Sequence, residues 1–187
     1  MKRALDLIVA LAASPLALIL IVACALAVRL TSPGPAMFRQ VRIGRDEVPF
    51  VCVKLRTMRV DTPDVPSHRV DTTAITPVGG WLRRSKLDEL PQLWNILRGE
   101  MSFVGPRPCL PSQTELIAAR RARGLAHLRP GITGVSQVRG VDMSDPERLA
   151  ALDATYLADM SPLADLALIL RTARGAGRGD AAAGSGN

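Results

Sequence analysis

The chain has 187 residues, 48% of them apolar, which suits one domain with its own core rather than several. Only 3% are aromatic, too few to build stacking platforms for single-stranded nucleic acid, so the formal net charge of +7 points to an anionic membrane surface or to phosphorylated substrates. The three cysteines, Cys24, Cys52 and Cys109, are odd in number and form no CxxC, which argues against a disulfide framework and a zinc site and for structural thiols in a reducing compartment.

The basic charge is concentrated at the start, where residues 1–60 hold nine Lys/Arg against three Asp/Glu. The same stretch holds the longest apolar run. Leu7 to Val28 carries no charge and is flanked by Lys2 and Arg3 on one side and Arg29 on the other. Basic residues beside such a segment fit attraction to anionic headgroups, and they fit equally the ordinary excess of positive charge on the inner side of a membrane. As one straight helix the run would be about 33 Å long, enough to cross a bilayer core. Ser14-Pro15 interrupts it, and a proline inside a helix removes a hydrogen bond and clashes with the preceding turn, at about 3 kcal/mol. Three readings stay open on these residues alone. One is a kinked transmembrane helix. A second is a re-entrant hairpin whose halves, about 12 and 21 Å long, are each too short to span and return to the same face. A third is a secretory signal, because Ile21-Val22-Ala23-Cys24 has the form of a lipoprotein processing box and Ala25-Leu26-Ala27 that of an A-x-A site.

Thr31 to Pro35 is a turn-rich exit. Met37 to Ile43 alternates weakly like a short strand, and Gly44 to Glu47 turns it into a second, Phe50 to Val53. Asp61 to Thr76 is polar, contains Pro63 and Pro66, and reads as a surface loop, either a plain one or one that covers a substrate. Ser85-Lys86-Leu87-Asp88 matches a capping box, followed by Leu87, Leu90, Leu93, Trp94 and Leu97 on one helical face, with Pro91 tolerated in the first turn and Arg98-Gly99 as the stop. Further helices are expected over about 112–123, from Asp145-Pro146 (Leu149, Leu152, Tyr156, Leu157) and from Ser161-Pro162 (Leu163, Leu166, Ile169, Leu170). The last two stripes suit a core or the plane of a membrane interface. From Gly175 the tail is rich in Gly and Ala and is expected to be disordered.

The candidates for chemistry are few. His68 and His127 form no triad pattern, and there is no Walker A loop, GxGxxG or HExxH. Asp88-Glu89 is an adjacent acidic pair; neighbours on a helix face different ways, so the two carboxylates can hold different roles, or they can simply be first-turn cap charges. Arg83, Arg84 and Lys86 stand beside them, as they would in a site for phosphate and a divalent metal or in surface ion pairs. Gly105-Pro106-Arg107-Pro108 and Arg129-Pro130-Gly131-Ile132-Thr133-Gly134 each hold an arginine in a stiff turn, either a planar donor fork suited to phosphate oxygens or a solvated turn with incidental charge. Lys54 and Arg56 alternate along a strand and would project from one face.

At these residues the chain resembles the bacterial sugar transferase family, the monotopic phosphoglycosyl transferases that prime glycan assembly on polyprenyl phosphate. The matching stretches are SPGPAMFRQVRIG (32–44), KLRTM (54–58), LRRSKLDELPQLWNILRGEMSFVGPRP (82–108), RPGITG (129–134) and LDATYLADMSPLADLALILRT (152–172), and together they cover about residues 1 to 173. The resemblance implies an α-rich α+β fold: a re-entrant membrane helix over 1–30 broken at Ser14-Pro15, a catalytic domain over 31–173 with amphipathic interfacial helices and a small strand element, and a tail over 174–187. It implies that Asp88 is the nucleophile and a magnesium (Mg2+) contact, and that Glu89 is the second member of the dyad and helps the acceptor attack. Lys54, Arg56, Arg83, Arg107 and Arg129 are expected to contact phosphate or shape the site. The implied reaction moves a sugar-1-phosphate from a UDP-sugar to polyprenyl (undecaprenyl) phosphate through a covalent intermediate on Asp88, with release of UMP. The implied setting is the cytoplasmic face of the bacterial inner membrane, with membrane phospholipids as partners, no nucleic acid, and a homodimer compatible. Leu55, Val135 and Arg139 depart from the usual pattern, where an aromatic, a tryptophan and an asparagine are common. The sugar is not legible in the residues. The rival reading is a membrane-anchored, lipoprotein-like binding module whose acidic pair is only a cap.

Overall fold

The computed structural model describes residues 2–62 and 72–176. It is an α-rich α+β arrangement of seven helices and four short strands among those residues: α1 (Lys2–Thr31), β1 (Met37–Ile43), β2 (Pro49–Leu55), α2 (Pro77–Ser85), α3 (Gln92–Arg98), β3 (Ser102–Val104), α4 (Thr114–Ala122), β4 (Gly131–Thr133), α5 (Val135–Val138), α6 (Pro146–Ala158) and α7 (Pro162–Ala173).

Among the described residues α1 is the one helix long and apolar enough to cross a membrane. It is a single 30-residue helix with Pro15 inside it. The expected division into two halves at Ser14-Pro15 is therefore not seen as a break in the helix. Ser14 Oγ donates to the Ala10 carbonyl at 2.6 Å, one turn back, which together with the missing Pro15 N–H is the combination that bends helices without ending them. The buried seam of α1 consists of Ala10, Ala17, Cys24 and Val28, with Asp6 at its start. Small residues there let the helix backbone approach the domain closely. The large aliphatics point away from it: Ile8, Leu11, Leu16, Leu18, Ile19, Val22, Leu26 and Leu30 are all exposed. This is the reverse of a soluble amphipathic helix, whose largest apolar side chains face the core.

Both ends of α1 are tied to the domain. At the start, Arg3 donates to the Ile96 and Leu97 carbonyls at the C-terminus of α3, where positive charge is favoured by the helix dipole. Asp6 accepts from Ser102 Oγ (3.0 Å) and the Phe103 N–H (3.2 Å) of β3. Lys2 pairs with Asp165 of α7, which also accepts from the Tyr156 hydroxyl. At the other end, Cys24 and Val28 pack with Ala36, Leu55 and Leu82.

β1 and β2 form the expected antiparallel hairpin, with Val41 opposite Val51 and Phe38 opposite Lys54. Its inner face carries Phe50 and Cys52, both buried, and two residues further on Lys54, as the period of two requires. Asn95 of α3 fastens the hairpin: its side chain accepts from the Val53 N–H (3.2 Å) and donates to the Val51 carbonyl (2.7 Å), as a neighbouring strand would.

The region around the acidic pair differs from the sequence expectation. Thr76 caps a helix that begins with Pro77, and this α2 ends at Ser85, where the capping box was expected to start one. Lys86 takes the left-handed conformation (φ 60°), and Leu87–Glu89 form a single 3-10 turn before α3. The capping-box letters are present, but Lys86 in that conformation turns the chain, and Pro91 has no N–H with which to continue a helix begun at Ser85. The helices from Pro146 and Pro162 match expectation, capped by Asp145 and Ser161 side chains. The short parallel strands β3 and β4, Ser102 opposite Gly131 and Val104 opposite Thr133, were not foreseen. Most of the polar loop (63–71, with His68) and most of the tail (177–187) lie outside the described residues.

Candidate active site

Asp88 and Glu89 are both buried, at 8% and 6% exposure, in the 3-10 turn between α2 and α3. A carboxylate buried this far needs compensation. Glu89 has it. Its Oε1 accepts from Lys54 Nζ of β2 at 3.0 Å and from Arg107 Nη2 at 3.1 Å. Burial works against the ionised form, but Lys54, Arg107 and Lys86 outweigh it and hold the Glu89 carboxyl well below the usual carboxylate range. Asp88 is different. Among the described residues it makes no hydrogen bond or ion pair. Burial, followed by the negative charge of Glu89, pushes its carboxyl above the usual range, with Lys54, Arg83 and Arg107 acting in the opposite direction. Two adjacent carboxylates thus have opposite environments, one locked and ionised, the other unbonded and available. Environments that drive two adjacent carboxyls apart in this way make them chemically unequal.

Three further elements converge on this turn. Arg83 is positioned through Thr57: its Nε donates to Thr57 Oγ1 at 2.9 Å, and α2 lies so close to Thr57 that a Cβ on Gly79 would stand 2.0 Å from the Thr57 carbonyl oxygen. Arg107 comes from the turn after β3. That turn and the Arg129–Gly134 segment, read from sequence as two separate clamps, are joined to each other. Gly105 N–H bonds the Thr133 carbonyl and Gly131 N–H bonds the Pro106 carbonyl, both at 2.9 Å. A Cβ on Gly105 would meet the Arg129 carbonyl oxygen at 2.3 Å, so this contact requires glycine.

The structure brings together Lys54, Arg83, Asp88, Glu89 and Arg107. Two residues of the expected phosphate-binding set lie elsewhere. Arg56 is buried past the end of β2, where its Nε donates to the Pro35 carbonyl (2.7 Å) and its Nη2 to the Ser32 carbonyl (3.1 Å), closing the turn that leaves α1. The period of two that put it beside Lys54 ends with the strand at Leu55. Arg129 donates to the Gly99 carbonyl at 2.9 Å, at the C-terminal end of α3, whereas the dyad precedes the N-terminal end. Of the departures, Leu55 is a buried packing partner of α1, Val135 is partly buried in a cluster with Val104 and Tyr156, and Arg139 is exposed. None contacts the acidic pair through a hydrogen bond among the described residues.

Sequence reasoning missed a buried set behind Arg107. Arg120 bonds Asp153 Oδ2 through Nε (3.1 Å) and Nη2 (2.8 Å), and Ser136 Oγ donates to Asp153 Oδ1 (2.7 Å). The signal was an aspartate within the apolar stripe of α6, on the face shared by Leu149 and Tyr156.

The chain was compared with known proteins. The family model described as bacterial sugar transferase matches residues 1–178. A UDP-glucose:undecaprenyl-phosphate glucose-1-phosphate transferase of Caulobacter vibrioides is 43% identical over 91% of this chain and 67% of its own length. The protein of the same name in Escherichia coli is 39% identical over 92% of this chain, which spans only 39% of that protein. A sugar transferase of Bacillus subtilis is 34% identical over 93% of this chain and 86% of its own length.

Proposed function

The chain belongs to the bacterial sugar transferase family, and from that membership we propose that it transfers a sugar-1-phosphate from a UDP-sugar to undecaprenyl phosphate. UDP-glucose is the donor to test first, because it stands in the names of the Caulobacter and Escherichia relatives. The observation that carries the reading is the contrast within the acidic pair: Asp88 unbonded, Glu89 held by Lys54 and Arg107.

Asp88 is the nucleophile. Its carboxylate oxygen forms a bond to the phosphorus next to the sugar, the bond from that phosphorus to the bridging oxygen breaks, and UMP leaves with the oxygen. An oxygen of the lipid phosphate then attacks the same phosphorus, and Asp88 is released. Covalent catalysis of this kind divides one displacement into two. A phosphate monoester is largely dianionic at neutral pH, its second pKa being about 6, so the attacking oxygen needs no strong base. Glu89, with its depressed pKa, serves to hold Lys54 and Arg107 where phosphate charge develops. Arg83, set by Thr57, adds a further positive charge near Asp88.

Magnesium fits this site at Asp88. The carboxylate is unbonded, and its own repulsion from Glu89 is what a cation would relieve. No group of three or more metal-type side chains occurs among the described residues. Magnesium takes one or two carboxylates and completes its shell with substrate phosphates and water, so Asp88 with a bound diphosphate would be enough to hold it. When bound, the ion supplies neutralisation of phosphate charge.

The membrane reading extends the proposal. The aliphatics exposed on α1, Trp81 and Trp94 on the helices packed beside it, and Leu163, Leu166 and Leu170 on α7 all suit an apolar or interfacial medium. Lys2, Arg3 and Asp6 bind one end of α1 to the domain, and Cys24 and Val28 bind the other. A helix fastened at both ends to one domain enters and leaves a bilayer on that domain's side. We place that side in the cytoplasm, where UDP-sugars are. A cysteine added ahead of Met1 is expected to react with membrane-impermeant maleimide only after the inner membrane is opened, like a cysteine in the 177–187 tail. Reaction of one of these cysteines and not the other in intact spheroplasts would refute the same-side topology, and reaction of both would refute the cytoplasmic side.

The transfer itself is tested with purified protein in nanodiscs, magnesium and UDP-glucose, without lipid acceptor. One UMP per enzyme and an intact-mass gain of one hexose phosphate, mapped to Asp88, is the expected result. UMP release only when undecaprenyl phosphate is present, with no mass gain, would replace the covalent route with direct transfer.

A further inference from the structure

Four consecutive carbonyls in the turn that carries Arg107 are each held by a different donor. Pro106 accepts from the Gly131 N–H (2.9 Å), Arg107 from Arg120 Nη1 (2.8 Å), Pro108 from Arg42 Nη1 (3.0 Å) and Cys109 from the Ile43 N–H (2.9 Å). Prolines at 106 and 108 already restrict the backbone. Fixing every carbonyl as well leaves the Arg107 side chain a single origin from which to reach Glu89.

Two of the four donors are guanidiniums, and each is itself held. Arg42 Nε donates to Gln40 Oε1 at 2.8 Å. Arg120 is more deeply set. It is 9% exposed, its partner Asp153 is 1% exposed, and Ser136, which donates to Asp153, is fully buried. Stability alone does not explain such a pair. The desolvation of two buried charges offsets most of their attraction, and apolar residues of similar volume commonly serve as well or better. What an apolar pair cannot supply is the third bond, from Arg120 to the Arg107 carbonyl. The guanidinium fork makes the arrangement feasible, because its Nε and Nη2 face Asp153 while Nη1 remains for the carbonyl.

We propose that Arg120, oriented by Asp153 and Ser136, is a positioning residue that sets where Arg107 meets Glu89 and the phosphate bound beside it. This rests on the transferase reading given above. Arg120 touches no reacting atom in it; its effect passes through the backbone of Arg107. A shift of about 1 Å in a positioned group can reduce a rate by about a hundredfold, so the relay acts on turnover rather than on donor affinity.

The test is a double-mutant cycle on steady-state UMP release in nanodiscs that contain undecaprenyl phosphate as acceptor. Arg120→Met with Asp153→Leu removes both buried charges together, so that neither is left buried without its partner. Its kcat is expected to fall by about 10–100-fold, with KM for UDP-glucose unchanged. Introduced into an Arg107→Lys protein, the same pair of substitutions is expected to cause no further loss, since groups that act through one residue are not additive. Should the paired variant fail to fold, Arg120→Lys keeps the charge opposite Asp153 but lacks the fork, and it is expected to show the same fall in kcat at unchanged KM. Unchanged kcat in a folded variant, or losses that multiply in the Arg107→Lys background, would overturn the relay while leaving the transferase reading intact. No turnover in the wild-type protein with any UDP-sugar would overturn that reading and the relay with it.

Discussion

Asp88→Asn is expected to abolish UMP release and the covalent mass gain, by at least about 10^3-fold, while leaving the protein at least as stable as the wild type. An amide is a poor nucleophile and a poor ligand for a hard cation, so the first displacement has no group to begin it. The stability prediction follows from the environment of Asp88. Burial and the charge of Glu89 raise its carboxyl above the usual range in the folded state. A group with a raised folded pKa favours folding when protonated, and that contribution is lost as pH rises through the folded value. The asparagine does not titrate. The Tm of the variant should therefore be close to that of the wild type in acid and exceed it increasingly toward neutral pH. Activity and stability would then be opposed at one residue, as is common where a site holds an uncompensated group for chemistry. Thermal unfolding in magnesium-free nanodiscs across a pH series, beside the UMP assay, measures both. An asparagine variant within tenfold of wild-type activity would remove Asp88 from its role, and one less stable at neutral pH than in acid relative to wild type would refute the raised carboxyl.

Glu89→Gln is expected to reduce kcat by about 10^2–10^3-fold and to move the acid limb of the half-reaction to lower pH. The rate loss is the scale of removing or misaligning one preorganised donor, and here two donors, Lys54 and Arg107, lose the anion that orients them. The pH shift has the opposite sign to a simple loss of a base. Glu89's charge is one of the causes that raise the Asp88 carboxyl, so neutralising it lowers that pKa and extends the ionised nucleophile toward acid. A general-base role for Glu89 would instead remove the acid limb of the lipid-dependent step and leave the donor half-reaction unchanged. Rapid-quench measurement of UMP release with and without lipid acceptor separates the two. A glutamine variant with a normal first step and a failed second would return Glu89 to proton transfer. The same substitution leaves two cations facing a neutral amide, at a cost to folding of up to about 3 kcal/mol, so Tm is measured alongside.

The contacts of Glu89 explain why the pair reads differently in sequence and in space. On the sequence, Asp88 and Glu89 are equivalent: adjacent acids with arginines and a lysine nearby. Their separation into an ionised, locked carboxylate and an unbonded one depends on Lys54, 35 residues away, and Arg107, 18 residues away, both meeting the same oxygen. Local spacing carries no information about such contacts. Arg56 shows the converse. The period of two placed it beside Lys54, but β2 ends between them, and the guanidinium turns to the carbonyls of Ser32 and Pro35. Arg129 was likewise a reasonable phosphate ligand by composition and is a helix C-terminal cap by position.

What the sequence determined by itself was what depends on neighbours within a turn or a strand: the long apolar helix, the β1–β2 hairpin, the proline-started helices at 146 and 162, and the family through its ordered motifs. Only the tertiary structure decided that the apolar helix runs through Pro15 and is fastened at both ends, that the two Arg-Pro turns are joined through Gly105 and Gly131, and that Arg120 and Asp153 stand behind Arg107. The physical reason is the same in each case. Helix, strand and cap preferences are set by short-range sterics and hydrogen bonds. The ionisation of a buried carboxylate and the aim of an arginine are set by charges and carbonyls that folding brings within about 3 Å from distant parts of the chain.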